Sequence, residues 1–124
     1  MKTTLSSIHH QAADWLRELD FYTDEISLVQ HRLEEALAKN KSPKLVSQFE
    51  DFRAQFKSLL KQIDVMKHDV SVRDTVAENM LEEALGEDEE ISLPEDVILK
   101  QMKDLVRDIA DTRFLFNFFL SKQG

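Results

Sequence analysis

Leu45-Val46-Ser47-Gln48-Phe49-Glu50-Asp51-Phe52-Arg53-Ala54-Gln55-Phe56-Lys57-Ser58-Leu59-Leu60-Lys61-Gln62-Ile63 sets large apolar side chains at 45, 49, 52, 56, 59 and 63, in alternating steps of four and three. That spacing keeps them on one stripe of an α-helix and marks a helix packed lengthwise on other helices. The same stripe continues through Met66, Val70, Arg73, Ala77, Met80 and Ala84. Upstream the pattern recurs as Leu5, Ile8, Ala12, Trp15, Leu19, Tyr22, Ile26, Val29, Leu33 and Ala36. Downstream it recurs as Ile98, Met102, Leu105, Ile109, Thr112, Phe116 and Phe119. Three such seams in one chain predict an all-α fold.

The breaks between seams are legible too. Thr3, Thr4, Ser6 and Ser7 offer N-cap oxygens, so the first helix opens near Thr4. It ends near Lys39, where lysines suit the negative end of the helix dipole and Asn40 tolerates a left-handed cap. Ser42-Pro43 then supplies an N-cap followed by proline at the first helical position. The second helix runs over 43–85 and stops at Gly86. Its one weak stretch is 70–76, dense in β-branched residues, where the spacing predicts continuity and allows a bend. Residues 86–93 form an acidic loop without apolar periodicity, and Ser92 with Glu95 makes a capping box around Pro94. The third helix covers 94–121. No strand pattern and no internal repeat is present. The connection between the first two helices is too short for anything but antiparallel neighbours. The expectation is one domain, 1–124, an up-down-up antiparallel three-helix bundle with long helices of unequal length.

Composition bounds the function. The 124 residues contain no cysteine, which excludes disulfides, thiolate nucleophiles and Cys-based metal sites. The N-terminal stretch has no apolar run of signal-peptide length, and Phe114–Leu120 is far short of a membrane span. The expected location is cytoplasmic. A net charge of −8 argues against nucleic acid and against an anionic membrane surface as partners, since both select cationic faces. Half of that charge is the run Glu87, Asp88, Glu89 and Glu90. The run lacks the ligand spacing of a calcium loop and reads as a solvated turn.

No residue group amounts to a catalytic signature, a cofactor box or a metal site. Glu-x-x-His pairs of the di-iron type are absent, as is a His-Glu-x-x-His motif. His10, His31 and His68 fall at the outward f position of the heptad and His9 at e, and all four read as solvated surface. Trp15 and Tyr22 fall on the seam, with their polar tips expected near its edge. Arg73 is the one charge at a seam position. Matching levels across the turns sets it near His9, Arg107 and Asp108, with an Arg73–Asp108 pair as its default partner.

Unequal helix lengths carry the functional expectation. If the chain folds back tightly at both turns, residue i of the first helix lies beside about 82−i of the second, and residue j of the second beside about 180−j of the third. The third helix then ends level with about Thr23 and Leu59. Ile26, Val29, Leu33 and Ala36 would face Leu45, Phe49, Phe52 and Phe56 in a two-helix overhang. Leaving such a seam bare would forfeit roughly 1.5–3 kcal/mol per large side chain. Phe114 and Phe118 also fall outside the seam, as do Phe21 and Leu28, with Phe21 expected near Phe118. A helix apolar on all sides is normally buried on all sides. The expected partner interface is therefore Phe21, Leu28, Leu33, Phe49, Phe52, Phe114 and Phe118. Its expected occupant is a second copy in a homodimer, or another helical protein. A fold-back of the overhang would cover the same residues without a partner. The function expected is a non-enzymatic interaction or oligomerisation module. The alternative is a bundle that binds a small ligand or metal in its core.

Overall fold

The first two seams become α1 (Leu5–Lys39) and α2 (Pro43–Ala84), and the third becomes α3 (Val97–Gln123), in the computed structural model of the chain. Backbone is described for residues 2–40, 42–84, 90–92 and 97–123, and side chains for 7–40, 42–80 and 97–122. The three helices pack as an all-α bundle, α2 against both α1 and α3. Expected and observed boundaries agree to within about a turn.

Local chemistry explains the ends. The Asn40 side chain donates to the Ala36 carbonyl at 2.7 Å, satisfying one of the last carbonyls of α1. Ser42 opens α2 as expected, its carbonyl accepting from the Val46 amide at 2.9 Å. The β-branched stretch 70–76 stays within one continuous helix. There the Thr75 hydroxyl donates to the Ser71 carbonyl at 3.1 Å, turning a potential competitor of the helix into a local bond.

The seams form the core. Ile8, Leu19, Ile26, Leu33, Phe49, Phe56, Ile63, Val70, Ile109 and Phe116 are fully buried, and the buried set among the described residues is wholly apolar. Leu5 and Ala84 lie outside the described side chains.

Two features depart from the sequence reading. First, Lys2–Thr4 (β1) and Glu90–Ser92 (β2) pair as an antiparallel ladder, with Lys2 opposite Ser92, Thr3 opposite Ile91 and Thr4 opposite Glu90. Three residues are too few for alternation to register in the sequence. β1 leads straight into α1, and β2 lies against α2. Part of the acidic loop is therefore strand. Its residues 86–89 and 93, and Pro94 and Glu95 of the capping box, are outside the described residues.

The second departure is the level of α3. Across α1 and α2 the pairs His9–Asp74, Asp20–Lys67 and Glu34–Arg53 lie within about a turn and a half of the expected register. Across α2 and α3, however, Phe119 packs on Phe49 and Phe52, and Phe116 on Phe52 and Phe56. Residue j of α2 thus lies beside about 170−j, a shift of about ten residues or roughly 15 Å toward the α1–α2 turn. The stretch between Ala84 and Val97 is long enough for this, and within it β2 pairs with β1. α3 begins level with about Arg73 and ends near the level of Phe49. The expected overhang is consequently covered by the chain's own third helix.

Candidate functional site

The register decides which expected interface residues reach the surface. Phe49 and Leu33 are fully buried, and Phe52 is half-buried among the rings of Phe56, Phe116 and Phe119. These three belong to the core rather than to an interface, because α3 fills the space that a tight turn would have left to a partner. Phe21, Leu28, Phe114 and Phe118 are exposed. The apolar surplus exists, but on the outer face of the bundle instead of its end.

Helix geometry explains why α3 has two apolar faces. At about 100° per residue, Ile109, Phe116 and Phe119 point inward, while Phe114 and Phe118, one turn apart, point away from that core. Phe114 is 67% exposed and Phe118 51%. Their rings stack nearly parallel, 15° apart with centroids at 6.4 Å. Leu115, 53% exposed, flanks them and was absent from the expected set, although its three-residue step to Phe118 was readable. The Lys122 ammonium sits over the Phe118 ring at 4.7 Å and Asp111 is exposed one turn before Phe114, so charge borders the patch at both ends.

On α1, the half-buried ion pair from Arg113 to Glu25, 3.0 Å, fixes the level between α1 and α3. Leu28 then lies at the level of Phe114 and Phe118. Phe21 lies about two turns away, level with about Ile109, and not near Phe118 as expected. Its ring meets Tyr22 edge-on at 5.5 Å. Burial, with the Glu18 carboxylate beside it, pushes the Tyr22 hydroxyl above its ordinary range, and that hydroxyl donates to Glu18 at 3.4 Å. Val72, Val76, Met80 and Val97 are also exposed. Met80 and Val97 flank residues 81–96 in the sequence, whose side chains are outside the described set.

Comparison with protein-family models, with characterised proteins and with solved structures returns no match. The residues themselves therefore carry the reading.

The core offers a ligand little purchase. Trp15 is buried and the Arg73 guanidinium lies over its ring at 5.1 Å, occupying the face on which a ligand would stack. Arg73 is thus placed by Trp15. Asp108 instead shares a groove with Ser58 and Gln62, about three turns from the level of Arg73, which follows from the shift of α3. Among the described residues no three of His, Asp and Glu group closely enough to hold a metal ion. His9 pairs with Asp74, and His31 with Glu35 at 3.0 Å, while His68 is exposed. No described helix is long and apolar enough to cross a membrane.

Proposed function

We propose that this chain is a non-enzymatic helical interaction module, cytoplasmic, that works by burying the Phe114–Leu115–Phe118 face of α3 against a second copy. One observation carries the reading. A bundle that shelters Phe49, Phe52, Phe56, Phe116 and Phe119 leaves the stacked pair Phe114 and Phe118, with Leu115, exposed on the outer side of α3. Scattered apolar residues on a surface are ordinary; a contiguous patch is the mark of an interaction site. The lack of cysteine fits a reducing compartment. The chain's net charge of −8 supplies solubility and discriminates between partners.

Replacement of Phe118 by aspartate tests the reading. Size-exclusion chromatography at micromolar concentration should show the wild type eluting ahead of the variant, with the helical circular dichroism of the two alike. Identical elution of both at the position of a single 14.5 kDa chain would refute it.

A further inference from the structure

The exposed stripe of α3 has a polarity. Asp111, Leu115, Phe118 and Lys122 succeed one another at four- and three-residue steps down the outward side of the helix, with Phe114 next to Leu115, so that an acid stands at one end, a base at the other and hydrocarbon between. Such a stripe is self-complementary only when its copy runs the opposite way. About a two-fold axis near the level of Phe116, Asp111 of one copy meets Lys122 of the other, and Phe118 meets Phe114 and Leu115. A parallel copy would set Asp111 on Asp111 and Lys122 on Lys122, like charge on like.

Resting on the interaction reading above, we infer that the two copies join through antiparallel α3 helices, their register fixed by reciprocal Asp111–Lys122 pairs. A two-fold contact of this kind uses the same patch twice and closes on itself, so it makes dimers and not filaments. Phe114, Leu115 and Phe118 together expose about 300 Å² per copy, given the ordinary size of these side chains. Doubled, that is the apolar centre of a contact of the size that weak, reversible complexes bury, below about 1,200 Å². The charges contribute orientation more than affinity. Lys122 already lies over the Phe118 ring within its own chain, so the ammonium is held at the border of the patch where an incoming carboxylate would meet it.

Charge exchange tests the geometry. Asp111→Lys and Lys122→Glu each place like charges at both contacts, and each should weaken self-association about tenfold at low salt. The double variant, Asp111→Lys with Lys122→Glu, should restore it. An equimolar mixture of the two single variants should form mixed dimers in preference to either alone, since both contacts then pair opposite charges. Circular dichroism of each variant should match the wild type, because both positions are exposed. If the wild type dimerises and Phe118→Asp abolishes the dimer, but the exchange neither weakens nor restores it, the antiparallel assignment is overturned and the interaction face stands. If the wild type sediments as a single chain throughout, both fall.

Discussion

The ring of Phe119 stands edge-on to that of Phe49, centroids 5.1 Å apart and planes at 78°. This contact joins the last turns of α3 to the first turns of α2 and fixes the bundle's register. It also separates the apolar residues the chain hides from those it leaves out. Everything proposed about association follows from which side of that division a phenylalanine falls.

Register is testable through Phe52 and Phe116, whose rings meet at 5.1 Å. Phe116→Ala should cost about 3–5 kcal/mol, as for any fully buried phenylalanine. A double-mutant cycle between Phe52→Ala and Phe116→Ala should give a coupling of about 0.5–1.5 kcal/mol by denaturant unfolding. With a tight turn between α2 and α3 the two would be about three turns apart and their effects additive.

Most of the core is legible in the amino-acid sequence. A 3-4 spacing reports burial directly, and Ile8 through Leu33, Phe49 through Ala77 and Met102 through Phe116 lie where it puts them. Levels between helices were harder, because periodicity fixes a face and leaves the axial position free. The spacing alone cannot tell a tight turn from a linker that doubles back through a short strand. One signal could have: sliding α3 until Phe116 and Phe119 meet Phe49, Phe52 and Phe56 matches aromatic to aromatic. The outward pair Phe114 and Phe118 was readable from heptad position alone, which is independent of level. Leu33, Phe49 and Phe52 were assigned to the interface through level, and level is what failed.

Thr3→Pro should unpin the linker. Proline removes a backbone donor from a ladder of three residue pairs. Limited proteolysis between residues 85 and 96 should accelerate, while hydrogen exchange at Ile26, Ile63 and Ile109 stays slow.

Arg73 contributes through contact with Trp15 as well as through charge. Arg73→Ala should cost about 1 kcal/mol and shift Trp15 emission. Arg73→Met, which keeps the stem, should recover part of the stability.

Glu34 supplies a pH dependence. Its hydrogen bonds from Arg53, 2.7 and 2.8 Å, hold the carboxyl below the ordinary glutamate range. The folded state therefore gains from this bond at neutral pH and loses the gain as acid titrates the carboxyl through its lowered folded value. The melting temperature of wild type should exceed that of Glu34→Gln at neutral pH, with the gap closing as acid protonates the carboxyl. Because the pair is exposed, the gap should be small and should shrink with added salt.

Sedimentation equilibrium of the wild-type chain, from nanomolar to tens of micromolar, asks whether the outward face of α3 finds a second copy. The apparent mass should rise from 14.5 kDa toward twice that value and then level off. A mass fixed at that of one chain across the whole range would mean that Phe114, Leu115 and Phe118 are simply exposed.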